Sequence, residues 1–223
     1  MIIPAYNEAK NIVQVIQDIK RNFAIADILV INDCSRDKTS SLARKQEVTV
    51  LDMPFNLGIG GIVQTGYLYA RQFGYTIAVQ FDADRQHRAK ELPDMLNAIA
   101  DKKNDMVIAS RFLVSGGYKS SFFRKIGIRY FSSLIFLLTG KRITDPTSGF
   151  RMVNRNLIEL FCENYAEDYP EPEAAVLALK KKFSIAEIPT FMHAREKGIS
   201  SITPLKAVYY MLKVTLAILN IAF

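Results

Sequence analysis

Cysteine is scarce in this sequence: Cys34 and Cys162 are the only two in 223 residues. They form no CxxC pair, so a disulfide-stapled mini-protein is excluded and both thiols are expected to be reduced. Long apolar runs are also missing. The longest, Ala207 to Phe223, is interrupted by Lys213 and Asn220 and falls short of the about 20 residues that a spanning helix needs. No basic stretch followed by an apolar one opens the chain, so no export signal is expected. Internal repeats, linkers and low-complexity tracts are absent as well. What remains, 49% apolar and 23% charged residues in 25.2 kDa, is the composition of one domain with a full core rather than of a disordered or multi-span chain.

Residues 1–110 carry 13 Lys and Arg against 13 Asp and Glu, so the net charge of +7 lies wholly in residues 111–223. Within that half, residues 111–155 hold nine basic residues against Asp145 alone. So local an excess suits an anionic partner: a phosphorylated substrate, an anionic lipid surface or nucleic acid.

Short β-branched runs alternate with amphipathic stretches through the first half. A strand starts at the N-terminus, and further strands are expected over Asp27–Asn32, Val48–Asp52, Thr76–Phe81 and Met106–Ala109. Helices are expected over Glu8–Phe23, with Asn7 as cap and Ile12, Val15, Ile16 and Ile19 on one face, over Ile59–Phe73, and over Glu91–Asp101. This order predicts an α/β fold, a mostly parallel sheet flanked by helices, which binds ligands at the carboxyl ends of its strands. The second half has a basic, aromatic segment at 119–139, a turn-rich Thr144–Gly149 and a helix at 173–182. Lys206, Lys213 and Asn220 recur every seven residues, on one face of an otherwise apolar C-terminal helix. An interfacial membrane helix is the leading reading of it. A core helix, a helix packed on a second subunit, and part of a spanning anchor are the alternatives. The expected organisation is a domain over 1–204, with a donor half (1–110) and an acceptor half (111–204), followed by an amphipathic helix over 205–223.

The most informative segment is Phe81-Asp82-Ala83-Asp84-Arg85-Gln86-His87, directly after the Thr76–Gln80 apolar run. Two carboxylates at i and i+2 in a turn at a strand end can share a hard divalent cation with a phosphate-bearing partner. Pro4-Ala5-Tyr6-Asn7-Glu8, the Asn32–Thr39 stretch and Asn56-Leu57-Gly58-Ile59-Gly60-Gly61 also sit where a doubly wound sheet places ligands.

Together with Thr144-Asp145-Pro146-Thr147-Ser148-Gly149-Phe150-Arg151, these motifs resemble the inverting family-2 glycosyltransferases, and within them the dolichol-phosphate mannose synthase-like and bacterial polyprenyl-phosphate hexosyltransferase branch. The resemblance implies a single-domain, Rossmann-like GT-A fold. It implies donor-binding roles for Pro4, Ala5, Tyr6, Glu8, Asp33, Gly58, Gly60 and Asp82, with Asp33 bonded to the base. It places Asp82, Asp84 and Gln86 at magnesium or manganese and the diphosphate, with His87 matching as either ligand or satisfied loop residue. Arg85 and Arg88 depart from the family pattern and add positive charge there. Arg124, Lys125 and Arg129 resemble the branch's Arg-Lys-x-x-x-Arg stretch, and Arg195 to Ser201 its Arg-x-x-Gly-x-Ser segment. Arg111, Arg124, Arg129, Arg151, Arg195 and Ser200 are then candidates for acceptor or donor phosphates. Glu173, with Glu171 close behind, matches the family's acidic residue, and with Asp84 completes the candidate catalytic set.

The expected reaction is inverting hexose transfer from a UDP- or GDP-hexose, UDP-glucose favoured, to polyprenyl phosphate, by an enzyme peripheral to the inner face of the cell membrane. An alternative is transfer to a hydroxyl of a lipid-linked oligosaccharide in cell-surface polysaccharide synthesis, with Glu171 or Glu173 as base. A non-catalytic nucleotide- or membrane-binding module is more distant. Aromatics among basic residues also suit single-stranded nucleic acid, but no recognised module accompanies them, so no nucleic-acid partner is expected. A homo-oligomer through the C-terminal helix stays open.

Overall fold

The computed structural model describes residues 1–100, 104–113, 122–191 and 204–222, with side chains from 125 and from 209 onward in the last two stretches. In chain order the elements are β1 (Ile2–Ala5), α1 (Ile12–Asn22), β2 (Leu29–Asn32), α2 (Thr39–Arg44), β3 (Thr49–Asp52), α3 (Gly58–Gln72) and β4 (Ile77–Gln80). They continue with a 3-10 turn (Ala89–Glu91), α4 (Leu92–Ala100), β5 (Met106–Ser110), α5 (Phe122–Thr139), β6 (Arg151–Asn154), α6 (Arg155–Glu163), α7 (Pro170–Lys180), β7 (Ile185–Pro189) and α8 (Pro204–Ala222).

Seven strands form one sheet in the order β3-β2-β1-β4-β6-β5-β7. Four of its six pairings are parallel; β6 runs antiparallel to both of its neighbours, with Gln80 opposite Arg151 and Ile108 opposite Arg151. The expected strands are therefore present, with ends that agree within two residues and β5 one residue longer than expected. The antiparallel β6 and the edge strand β7 are additions. The consequence is geometric: six strands end, and β6 begins, along one edge of the sheet.

The period of two along the strands divides the core cleanly between the two faces. Ile2, Leu29, Ile31, Ala78, Met106, Ile108 and Val153 pack beneath α3, α5, α6, α7 and α8. Their alternates Ile3, Val30, Val79, Val107, Ala109 and Met152 pack beneath α1 and α4. Helix α1 buries Ile12, Val15, Ile16 and Ile19 as its spacing predicts. Asn7 does not cap it. The helix begins at Ile12, where the Glu8 carbonyl accepts the Asn11 and Ile12 N–H groups, while Asn7 takes φ 56° and its Oδ1 accepts from Arg36 N–H at 2.9 Å.

Helix α8 joins the core through Val214 and Ile218 and packs on α7. Lys213 pairs with Asp168, and Tyr130 of α5 shares a 2.9 Å hydroxyl contact with Thr215. Tyr209, Leu212 and Leu216 stay exposed, beside exposed Ile126, Tyr130, Phe136 and Leu137 on α5. No helix among the described residues is long and apolar enough to cross a membrane.

The start of α3 is pressed against the α6–α7 loop. A Cβ on Gly60 would lie 2.0 Å from the Ala166 carbonyl oxygen, and Gly60 N–H donates to the Glu167 carbonyl at 3.0 Å. Gly60→Ala is expected to destabilise the protein by about 1–3 kcal/mol through overpacking against backbone. Gly127→Ala, in open space on α5, is expected to be neutral or to stabilise by up to about 1 kcal/mol. Denaturant midpoints of the two variants check both.

Candidate active site

The site is assembled from the strand exits along the carboxyl edge. At the exits of β1 and β2, two loops are bonded to each other. Asn7 N–H donates to Ser35 Oγ (2.9 Å), Glu8 N–H to Thr39 Oγ1 (2.8 Å) and Ala9 N–H to Asp37 Oδ2 (3.1 Å). Asp37 also accepts from Thr39 N–H and hydroxyl. Burial alone would raise its pKa, but these bonds outweigh that and hold the carboxyl below the usual range. Asn7 and Cys34 both adopt left-handed backbone, φ 56° and 59°, a strained geometry for non-glycine residues that gathers at functional loops. The exposed part of the first motif starts at Tyr6, which is 46% exposed. Pro4 and Ala5 are buried inside β1, so their side chains belong to the core and not to a ligand surface.

Asp33 is buried at the end of β2, and its carboxylate accepts Leu57 N–H at 2.6 Å and Gly58 N–H at 3.1 Å. It thus caps α3 from a neighbouring strand, satisfying two of the free donors at a helix start. Gly58 takes φ +75° there, which a glycine adopts without strain. Gly60 has a different task from the one the motif implies: its missing side chain admits the loop at 166–167, not a ligand.

The acidic turn leaves β4. Asp84 Oδ1 accepts Gln86 N–H at 3.0 Å, and Asp82 N–H donates to His87 Nδ1 at 3.1 Å. That bond leaves the imidazole proton on Nε2, 3.4 Å from Asp82 Oδ2. His87 is stacked on Phe150 and meets Phe81 edge-on. Burial pushes its pKa down to about 4, so the ring is neutral at pH 7. Gly149, two residues before β6, lies so close to this turn that a Cβ would sit 2.9 Å from Gln80 Nε2 and 3.1 Å from Asp82 Oδ2.

Two of the proposed phosphate-binding arginines are internal braces. Arg111 is buried in a bidentate pair with Asp145, with Nε and Nη2 each 2.6 Å from a carboxylate oxygen, and its Nη2 also reaches Thr147. Arg151 is 1% exposed and donates to the Ser148, Pro146 and Glu171 carbonyls at 2.6–2.7 Å. Neither guanidinium faces solvent, so neither is placed to take a ligand phosphate. Arg129 is exposed on α5. The Arg124 side chain, Arg195 and Ser200 lie outside the described residues.

The two glutamates of α7 face different neighbours. Glu171 lies among Arg151 and Asp82; burial raises its pKa, Arg151 opposes the rise and Asp82 adds to it. Glu173 turns toward α8. Burial raises it to about 7, with Lys213 opposing and Asp168 adding. The structure thus brings Glu171, and not Glu173, to the acidic turn. Glu187 of β7 is a residue the sequence reading missed: it accepts Thr144 N–H and hydroxyl and Asp145 N–H at 2.8–2.9 Å. A lone carboxylate in the apolar run Ile185–Pro189 was its only signal.

Among the described residues no three His, Cys, Asp or Glu side chains form a metal cage. The pair Asp82 and Asp84 nevertheless fits a hard cation that takes its remaining oxygens from a substrate diphosphate and water, which is how magnesium is usually held. His87 Nε2, a buried polar atom with no hydrogen bond, lies 3.4 Å from Asp82 Oδ2, and the missing side chain of Gly149 lets backbone approach the same carboxylate.

A sheet edge that gathers a capped helix start, two carboxylates and a half-buried acid defines an α/β enzyme for phosphate-bearing substrates. The glycosyl transferase family 2 model matches residues 1–161, and the chain belongs to that family. It is 30% identical over 209 residues, 85% of this chain and 83% of the other, to the UDP-N-acetylglucosamine–dolichyl-phosphate N-acetylglucosaminyltransferase of Methanococcus voltae. It is 27% identical to the polyprenol monophosphomannose synthase of Mycolicibacterium smegmatis, over 91% of this chain and 80% of that one. The fold superposes on glucosyl-3-phosphoglycerate synthase of Mycobacterium tuberculosis, solved with Mn2+, UDP and glucosyl-3-phosphoglycerate. The TM-score is 0.78 at 18% identity, covering 99% of this chain and 78% of that one. The protein is therefore a glycosyltransferase with the GT-A-type fold that the resemblance implied.

Removing Arg111 leaves the buried Asp145 charge unpaired, so Arg111→Ala is expected to lower unfolding free energy by about 3–5 kcal/mol. Arg129→Ala, at an exposed site, is expected to stay within about 0.5 kcal/mol of wild type; urea titrations separate the two. A carboxyl whose folded-state pKa is raised contributes stability that is fully present below its unfolded value and is lost as pH rises to the folded one, here from 4.5 to about 7. Glu173→Gln is therefore expected to gain in Tm relative to wild type as pH rises from 4 to 7, and to hold that gain at pH 8.

Proposed function

We propose that this glycosyltransferase moves a hexose from a nucleoside diphosphate sugar to a polyprenyl phosphate, with inversion at the anomeric carbon. The observation that carries this reading is the convergence of Asp82, Asp84, Gly149 and Glu171 at one edge, in a chain whose relatives include enzymes named for dolichyl, polyprenol and undecaprenyl phosphates. The nucleoside is held at the exits of β1 and β2 by Tyr6, Glu8 and the Asp33-capped start of α3. Asp82 and Asp84 would hold magnesium or manganese, with Gln86 beside them. Bound there, the cation would offset charge developing on the leaving diphosphate.

The acceptor is already an anion, so its attack needs no proton removed. Glu171 then orients the sugar, and burial keeps its carboxyl from ionising readily, with Asp82 adding to the effect. Arg129, with Arg124, Arg195 and Ser200 as the sequence places them, supplies the acceptor's phosphate contacts; guanidinium groups hold their charge throughout and bind phosphate oxygens bidentately. The exposed apolar residues of α5 and α8, next to exposed Lys125 and Arg129, suit attachment to a membrane surface where such a lipid resides.

The test is a donor panel of labelled UDP-glucose, UDP-N-acetylglucosamine and GDP-mannose with short-chain polyprenyl phosphate and Mn2+ or Mg2+. A labelled lipid product is expected from one donor, lost on chelation and in Asp84→Asn. No product from any donor, or full activity without divalent ion, overturns the respective assignment. Glu171→Gln is expected to slow turnover by less than the roughly 10²–10⁴-fold that removal of a general base brings. A larger loss with donor binding retained would favour a hydroxyl acceptor.

A further inference from the structure

Gln80 is the last residue of β4, directly ahead of the acidic turn, and the reaction above makes no use of it. It is 1% exposed, and among the described residues neither its Nε2 nor its Oε1 has a hydrogen-bond partner. Burying a primary amide without bonds forfeits the hydration of both atoms. A methionine of similar volume would fill the place without that loss, so the amide calls for a partner.

Its neighbours supply one. By the alternation along the strands, Gln80 lies on the face of Ala78, and Arg151 on the face of Val153. Both project to the side of the sheet that carries α3, α6 and α7, and the two are directly opposed across the β4–β6 ladder. Arg151 Nη1 donates to the Glu171 carbonyl at 2.6 Å, while Nε and Nη2 go to the Ser148 and Pro146 carbonyls. These bonds tie the main chain at the start of α7 to the strand position facing Gln80. Burial raises the pKa of the Glu171 carboxyl, and Arg151 and the Gln80 amide are close enough to oppose the rise, although no bond of full geometry joins the amide to it. Gly149 flanks the same amide: a Cβ there would come 2.9 Å from Gln80 Nε2 and 3.1 Å from Asp82 Oδ2. The amide thus has the acid of α7 within reach and shares Gly149 with the carboxylate of Asp82.

An amide is suited to such an acid. Its Nε2 donates to a carboxylate, and its Oε1 accepts from a protonated carboxyl, so one side chain can hold Glu171 in either state. Hydrogen bonds at a reacting centre are often long in the free enzyme and close once substrate is bound.

We infer that Gln80 is a positioning residue: its amide bonds the Glu171 carboxyl during sugar transfer and holds it in register with the turn bearing Asp82 and Asp84. The inference rests on the reading of Glu171 as the residue that orients the sugar, and it does not depend on which acceptor takes that sugar.

Gln80→Met keeps the volume and removes both polar atoms. In the full chain it is expected to lower kcat for labelled lipid product about tenfold or more, as small misplacements near the reacting centre do. The Kd for the nucleotide sugar, measured by calorimetry, should stay within about twofold, and the urea midpoint should not fall, because no bond of the free protein is lost. In a Glu171→Ala background the same substitution should change kcat by less than about twofold. Unchanged kcat in folded Gln80→Met overturns the inference, as does an equal fold-loss in the Glu171→Ala background, or a loss confined to donor affinity. Nitrogen-15 NMR leaves Gln80 itself intact: with Mg2+ and a nucleotide sugar of the panel, its side-chain amide protons should lie further downfield in wild type than in Glu171→Ala. If wild-type protein forms no lipid product, the proposed acceptor is wrong and the spectra decide alone. A Gln80 amide signal that is the same in both proteins, free and with every donor of the panel, overturns the positioning role.

Discussion

The buried pairing of Arg111 with Asp145 fixes the second half of the active-site edge. Arg111 follows β5, and Asp145 lies in the turn that feeds β6, 34 residues later. Closing that distance with a bidentate pair, both members out of water, brings the strand end and the turn together in one geometry. Glu187 holds the same turn from β7, and Arg151 closes it through three carbonyls. Gly149 is left against Asp82 as a result. The positive charge that sequence suggested for a ligand is thus partly committed to internal bonds that hold the strand exits together. Replacing one member alone strands the other charge, which makes the pair a constraint on the fold more than a source of net stability.

The first half of the molecule was readable because its physics is local. β-branched runs, turn residues and 3.6-residue spacing determine β1 to β5 and α1, α3 and α4 within a few residues. The second half depends on partners far apart in the chain. Arg151-Met-Val-Asn154 is too short and too polar to announce a strand, and only its pairing between β4 and β5 makes it one. Nothing in a sequence distinguishes an arginine committed to an internal carboxylate from one offered to a phosphate, so Arg111 and Arg151 were grouped with Arg129. Glu171 and Glu173 are two positions apart, and on a helix that separates their directions by roughly 200°. One therefore meets Asp82 and the other α8, a difference that helix geometry permits but only packing decides.

The exits of β1 and β2 are held by a different set of bonds. Two loops that would each be mobile alone share bonds through Ser35, Asp37 and Thr39, and the helix start beside them is capped by Asp33 from another strand. Left-handed backbone at Asn7 and Cys34 is tolerated because the surrounding bonds hold it there. The result is a pair of strand exits and a helix start fixed against one another by folding alone.

The contact of Gly60 with the loop at 166–167 extends that property across the cleft. Helix α3 starts beside Asp33 at the exit of β2, and the loop leads directly into α7 with Glu171. Backbone is seated on backbone there, with no side chain between them. The entropy of bringing these two elements together is therefore lost during folding, and a ligand that met both would not have to supply it again.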